Sequence, residues 1–560
     1  MFFSGALPPV SPVQESITLR NHVSGQAWEQ GLGTFFYEGV PFSFSTGATF
    51  ATVIAEMMQA LYADKPALYV EELGAGLGML SVHVLAALRD NFPAFFLKTN
   101  LHVTEFSQAL ATELVATGVF AAFQDKVTLG QEDCRRMSGR CPDVVLMAYV
   151  FDAIPARQLV FQSGMWWERQ IALTLPERTL WDGRSFPPSP VAASSLLSEE
   201  GPMCFSLLRQ VWPDVTETET LQPLSWEGIP DGDRAALQEM GAGAGDAFLR
   251  VNYPSGLSTI LDGIWEGISD TGILLIYDVG GTGDMQPPSW DDLQTHYGLT
   301  VCAMVSFSLI QAWASRRGVF FRYTDHPEGN SQVMMLSHQP IENVVWEPLV
   351  AVSEHYAYGR YAQVLRDIQS KTAEVLGALS VSEIREKGAV VLGLSPGMAS
   401  DYTVIMHVAT RCHSEGAYAQ AHAFLSHLLL DYGAVGSSAW LLQGKILKAM
   451  SDVSAAQEAF LRGYAIAPQD EYLLYELAVL SLSQRDYAAY VVYATAYLRY
   501  RCYLPDIWET TVTLLLCKGL LGQKEDVRAA IEVMAGLSVK GLLPEGVMAK
   551  VEGIQRALAL

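Results

Sequence analysis

A parallel α/β sheet domain followed by an all-α domain of helical repeats is the fold class this sequence predicts. Three observations lead there. Residues 68–80, LYVEELGAGLGML, read as strand, glycine turn and helix. Continuous apolar runs then alternate with helical stretches as far as residue 160, the pattern of parallel strands buried on both faces. Beyond residue 345 the composition shifts to Ala, Leu and Tyr, with a spacing of roughly 34 residues that belongs to helix–turn–helix repeats.

The first strand carries the chemistry. An apolar run from Leu68 to Val70 meets Glu71 and Glu72, then three glycines at alternate positions, Gly74, Gly76 and Gly78, and an apolar-periodic helix from Met79 to Leu88. Glycine reaches positive φ and lets a ligand come close to the backbone, and a helix start offers unpaired N–H groups. The spacing Glu-x-Gly-x-Gly-x-Gly matches the first motif of Rossmann-like S-adenosylmethionine (SAM) methyltransferases. It differs from the nicotinamide fingerprint, whose last glycine comes one residue later. In a chain with 46 glycines such a turn is also a common structural device, so the next strands decide.

The second strand, within NLHVTEFS (100–107), ends in Glu105, where Rossmann-type folds hydrogen-bond ribose hydroxyls. A third, Val127 to Leu129, runs into Gln131, Glu132 and Asp133, and a fourth spans Asp143 to Met147. On this reading Gly74, Ala75 and Gly76 meet the amino-acid and sugar parts of SAM through their backbone, and Gly78 completes the turn. Glu105 holds the ribose, or caps a helix. Glu72 orients the loop or meets the cofactor's ammonium group. Asp133 is a candidate for the adenine amino group, with Glu132 and Gln131 serving as well. Further strands are expected at 272–281, 299–309 and 319–324, with a hairpin at 161–169 and an insertion near 185–245.

Bulk properties narrow the choice. A length of 560 residues suggests about three domains: a helical segment 1–66, a sheet domain 67–340 and a helical domain 345–560. The net charge of −24 argues against a nucleic-acid partner, since phosphate contacts need a basic surface. Seven scattered cysteines with no CxxC pair point to reduced thiols and a cytoplasmic setting. No histidine pair has metal-ligand spacing, so no metal is expected. The N-terminus lacks the basic start of a signal peptide, and no apolar run approaches the ~20 residues of a membrane span.

In the helical part, Trp440, Gly444, Ala456, Phe460 and Pro468 fall at tetratricopeptide (TPR) offsets. Ala409, Gly416, Tyr418 and Ala421 precede them at equivalent places, and Leu477, Ala478 and Tyr487 follow. Weaker units are expected at 346–380 and 506–540. A plain helical bundle is the alternative. A TPR-like array implies a protein partner or substrate bound by these repeats.

Taken in order, several stretches of residues 20–330 resemble the MidA family of SAM-dependent methyltransferases. They are FYEGVPFSFSTGATFATVIAEMM (36–58, with Phe44, Thr46 and Glu56), VEELGAGLGMLS, VTEFS, and FDAIP (151–155) followed by Gly164, Trp166, Glu168 and Arg169. ILLIYDVGG, with Asp278 and Gly280, matches a late strand. That family includes the mitochondrial complex I assembly factor, a protein arginine methyltransferase. The resemblance implies methyl transfer to a protein, with arginine as an acceptor, Asp152 and Tyr149 as catalytic residues, and Thr46 and Phe151 at the substrate mouth. Asp152 could equally cap a following helix. The chain departs from the family with Ala148-Tyr149 in place of Asn-Glu, Ser43 in place of an acid and Ala48-Thr49 in place of Pro-Glu. These losses leave a second reading open: a degenerate methyltransferase fold serving as a scaffold or assembly factor.

Overall fold

A computed structural model describes residues 35, 47–131, 141–174, 179–182, 185–192, 216–245, 247–281, 294–297, 300–324, 331–355, 358–371, 375, 401–500 and 506–559. The chain forms two compact units. One holds the described residues up to Ile171 and those from Glu219 to Val435; the other holds those of 172–218 and of Gly436–Leu560.

In the first unit, helix α1 (Ala48–Tyr62) precedes strand β1 (Leu68–Leu73) and helices α2 (Met79–Asn91) and α3 (Pro93–Lys98). Strand β2 (Thr99–Glu105), helix α4 (Gln108–Thr117), β3 (Val127–Gln131) and β4 (Val144–Ala148) follow. β1 pairs in parallel with β2 on one side and β4 on the other, and β2 pairs in parallel with β3. The β4 run VVLM is fully buried, as a parallel strand covered on both faces must be. The order therefore reverses at β1: the chain steps outward through β2 and β3, then returns beside β1 as β4. Open α/β sheets bind ligands outside the carboxyl ends of strands at such a reversal.

The hairpin expected at 161–169 forms between β5 (Ala156–Gln162) and β6 (Met165–Thr174). Ser163 and Gly164 supply its positive-φ turn, at 51° and 76°. A short hairpin, β7 (Thr179–Asp182) and β8 (Ser189–Ala192), precedes β9 (Thr216–Pro223), α5 (Asp231–Ala244) and β10 (Leu249–Pro254). The second sheet runs β10-β5-β6-β9. Arg157 and Glu168 form a buried two-pronged pair across it, at 2.9 and 2.7 Å.

Helix α6 (Leu257–Gly267) leads into β11 (Ile273–Gly281), parallel to β4. The hairpin β12 (Gln294–Tyr297) and β13 (Thr300–Ala303), the short β14 (Val305–Ser306), α7 (Phe307–Arg317), β15 (Phe320–Tyr323) and β16 (Ser331–Ser337) complete the sheet domain. β16 is antiparallel to β11 and to β15, which gives the order β15-β16-β11-β4-β1-β2-β3. This is a SAM-methyltransferase-like mixed sheet, followed by a helical region.

That region starts with α8 (Asn343–His355), α9 (Tyr358–Ser370), α10 (Tyr402–Ser414) and α11 (Tyr418–Tyr432). These cluster with the sheet. The second unit holds α12 (Ser437–Ala449), α13 (Val453–Ile466), α14 (Glu471–Ser483), α15 (Tyr487–Tyr500), α16 (Asp506–Leu520), α17 (Lys524–Val539) and α18 (Val547–Leu558). The leading helices begin at Tyr402, Ser437, Glu471 and Asp506, spacings of 35, 34 and 35 residues. Asp401, Asp452 and Asp470 cap helix starts through their side chains. Gly444 lets α12 approach α13, because a Cβ there would lie 2.3 Å from the Phe460 ring.

Gly444→Ala should therefore destabilise the helical unit by about 1–3 kcal/mol, the usual penalty of overpacking. Urea denaturation followed by tyrosine and tryptophan fluorescence would check it. An unchanged midpoint would show that α12 and α13 do not meet at this glycine.

Candidate functional site

The turn leaving β1 faces the reversal. Gly74, Gly76 and Gly78 have φ of 71°, 55° and 70°, values that side chains rarely adopt. Side chains also crowd each glycine. A Cβ at Gly74 would lie 2.8 Å from Val150, at Gly76 3.1 Å from the tip of the Phe35 ring, and at Gly78 2.6 Å from Phe120. The N–H groups of Gly74 and Ala75 both donate to the Thr104 carbonyl, at 3.0 and 3.1 Å. Close approach through Cα atoms and carbonyls is what these two residues can offer a ligand, since their amide donors are taken.

Glu105 closes the turn. Its Oε2 accepts the Gly76 N–H at 3.0 Å, and its Oε1 accepts those of Phe106 and Ser107 at 2.8 and 3.2 Å. Burial pushes the carboxyl up, and the three N–H groups oppose that. A carboxylate offers about four lone-pair sites, so a position remains for a sugar hydroxyl. Glu72 is fully buried and accepts a hydrogen bond from the Ser81 hydroxyl in the first turn of α2. Burial raises its carboxyl to about 7. The residues present fit a nucleoside cofactor: a strand-end carboxylate stands at a glycine turn.

The segment after β4 forms the other wall. Tyr149 has φ of 56°, a left-handed conformation that is an outlier for a bulky residue. Its N–H donates to the Tyr277 carbonyl at 2.8 Å, and the two hydroxyls lie 3.2 Å apart. The Phe151 N–H donates to Asp278 Oδ2 at 2.9 Å. Asp152 is buried, and its carbonyl accepts the Ala303 N–H at 2.9 Å. Burial raises its carboxyl to about 7, against a hydrogen bond from the Cys302 thiol. Burial, then the Asp152 charge, hold Asp278 well above the carboxylate range. Burial and Asp152 likewise push the Cys302 thiol up, and burial with Tyr277 pushes up the Tyr149 hydroxyl. Asp152 Oδ1 is buried without a hydrogen-bond partner.

The structure thus gathers Glu72, the glycines, Ala75 and Glu105 at one strand end, and Tyr149 with Asp152 at the neighbouring one. Asp133 and Thr46 lie outside the described residues. Phe151 is a correction: its side chain is fully buried in the apolar core with Leu159, Tyr253 and Ile276, so it lines no mouth and contributes its N–H instead. Sequence reasoning passed over Tyr277 and Cys302, and treated Asp278 only as a matching residue. Phe35 stood in an aromatic-rich prelude with nothing to link it to Gly76. Among the described residues no group of His, Cys, Asp or Glu could hold a metal ion, and no helix is long and apolar enough to cross a membrane.

The raised carboxyls predict a direction of pH dependence. An acid whose folded pKa exceeds its unfolded value keeps protons in the native state that the unfolded chain releases, so stability falls as pH rises between the two values. For Glu72 and Asp152 that window runs from about 4 to about 7, worth on the order of 3 kcal/mol per group. Urea midpoints measured from pH 5 to 8 should fall, and Glu72→Gln should flatten part of the slope. A midpoint that rises across this range would refute the burial of these acids.

Residues 49–220 match the family described as "Putative S-adenosyl-L-methionine-dependent methyltransferase". A methyl-transferase candidate from Burkholderia thailandensis, solved with S-adenosyl-homocysteine bound, is 16% identical with a TM-score of 0.35, covering 53% of this chain and 79% of its own. An uncharacterised protein of the same superfamily and organism is 14% identical with a TM-score of 0.35, covering 58% and 93%. A SAM-dependent methyltransferase from Aquifex aeolicus is 8% identical with a TM-score of 0.24, covering 50% and 88%. No curated protein matches the sequence. Residues 49–220 are thus similar to a family described by its dependence on S-adenosylmethionine, which is the cofactor this similarity carries.

Proposed function

We propose that the chain is a SAM-dependent methyltransferase acting on a protein, with arginine the first acceptor to test, and that its helical hairpins form a TPR-like array that recruits that protein. The observation that carries the reading is Glu105, whose carboxylate closes onto the Gly76 N–H at the strand-order reversal. When bound, SAM supplies an electrophilic methyl group on a sulfonium. The chain's own residues do the rest. Glu105 holds the ribose, and Gly74 to Gly76 let the cofactor lie close to the backbone. Asp152 takes the proton from the acceptor nitrogen at Oδ1, the atom left without a partner. Tyr149 offers its hydroxyl and ring face to the same group. A guanidinium suits a carboxylate because its fork of donors matches two oxygens.

The recruiting role is supported by the 34–35-residue spacing of the leading helices and by the Gly444–Phe460 contact. A groove of about 400 Å³ between α16 and α18, lined by Val512, Leu516, Ile554 and Ala557 with the charges of Glu509 and Lys550, adds room for a peptide. Free thiols at Cys141, Cys302, Cys412 and Cys517 fit a cytoplasmic setting.

A second reading has its own observation. The Phe35 ring stands over Gly76, and Tyr149 stands where a carboxylate is expected. A scaffold that has lost its cofactor would look like this. Calorimetric titration with SAM and S-adenosyl-homocysteine separates the two. The enzyme reading expects binding, lost in Gly76→Leu and weakened at least tenfold in Glu105→Ala. Radiolabelled methyl transfer into a cell extract should then mark one or a few proteins. Asp152→Asn should slow that transfer by about 10²–10⁴, the usual contribution of a general base. Absence of binding heat in the intact protein would leave only the scaffold.

A further inference from the structure

Three ties suspend residues 149–152 from the strands beside β4. Tyr149 donates its N–H to the Tyr277 carbonyl on β11. Phe151 donates its N–H to Asp278, also on β11. Ala303 on β13 donates its N–H to the Asp152 carbonyl. The middle tie differs from the others because it is made by a side chain. Asp278 is fully buried, and its second oxygen accepts the Val279 N–H at 2.8 Å. Two separate N–H groups on two oxygens need a carboxyl group. An asparagine would keep one acceptor oxygen but turn its NH₂ toward the other N–H and leave that donor unsatisfied, a loss of about 1–3 kcal/mol.

A second acid at this place carries an electrostatic cost. Two buried carboxyls near each other cannot both ionise readily. The groups acting on Asp152 are the Cys302 thiol from β13 and backbone N–H groups of its own segment, while Tyr149 and Cys302 both feel its charge. On β11 Tyr277 lies against Tyr149, and Asp278 feels Asp152 directly. Neutral or acidic neighbours therefore surround the pair.

We propose that Asp278 is a positioning residue for the transfer step, holding the 149–152 segment so that the unpartnered oxygen of Asp152 receives the acceptor's proton. This inference rests on the methyltransferase reading and deepens it. Asp278 acts through the Phe151 N–H, which its Oδ2 holds. The proton balance is simple. The acceptor nitrogen gains a methyl group and loses one proton, Asp152 gains that proton, and Asp278 keeps its own.

The test is Asp278→Asn in the full chain. The expected result is a fall in kcat of at least tenfold, with S-adenosyl-homocysteine affinity within twofold of the parent. The amide is as neutral as the protonated acid, so the loss reports position, and KM for the methyl acceptor should stay within twofold of the parent. A loss carried in KM, or an unchanged rate, would overturn the proposal. Should Asp278→Asn fail to fold, reciprocity supplies the second arm. In Asp152→Asn, which disturbs no backbone tie, the Asp278 carboxyl should titrate at lower pH than in the parent, read by carbon-13 NMR of aspartate-labelled protein. An unmoved Asp278 signal overturns the proposal. An inactive parent protein sinks the methyltransferase reading along with it, whereas an active parent with an unaffected variant sinks only this inference.

Discussion

The hydrogen bond from the Gly76 N–H to Glu105 ties the turn after β1 to the tip of β2. The same device recurs along the ends of the sheet. Glu72 at the end of β1 holds Ser81 in the first turn of α2. Asp278 near the end of β11 holds the Phe151 and Val279 N–H groups. At the opposite end, Asp143 accepts the Tyr69 N–H and the Ser269 hydroxyl. Turns at strand ends leave backbone N–H groups without ladder partners, and buried donors must be satisfied. In this chain carboxylates satisfy many of them, and the carboxylates thereby become buried.

That choice sets the electrostatics. A buried carboxylate facing N–H dipoles is stabilised by them but opposed by desolvation. For Glu72, Glu105, Asp152 and Asp278 desolvation is the larger effect, and all four are pushed up. Asp143 differs in having Lys65 as a direct partner. The distinction follows position in the sheet. The amino-terminal end of β4 has a lysine within reach, whereas the carboxyl-terminal ends, where the candidate site lies, join acids to neutral donors. Glu72 and Asp152, pushed to about 7, have the near-neutral proton affinity that proton transfer requires. A wholly structural set of clamps would be better served by cationic partners.

Much of this was legible because it is local. The alternate glycines, the acid before them and the acid at the next strand tip fall within 34 residues, and short-range spacing determined their geometry. The hairpin around Gly164 was equally local. Asp152 and Cys302 are 150 residues apart, and Gly76 and Phe35 are 41 apart across a helix; only the sheet order brings each pair together. The Phe151 correction has the same root. A residue next to a candidate acid was assigned to the mouth, although an aromatic side chain beside a buried parallel strand gains most by entering the core. Composition marks where helices begin, near residue 345, but not that α8 to α11 cluster with the sheet and the later helices with residues 172–218.

The segment after β4 shows why the two walls of the site form one construction. Residues 149 to 152 engage four different neighbours in succession. Tyr149 meets Tyr277, Val150 fills the space above Gly74, Phe151 binds Asp278 through its N–H, and Asp152 receives the Cys302 thiol. A left-handed φ at a tyrosine costs on the order of 1–3 kcal/mol and persists only where the surroundings over-determine it. Here four contacts in a row do so. The Val150 side chain places the glycine turn beside the acid pair, although about 70 to 200 residues of sequence separate their parts.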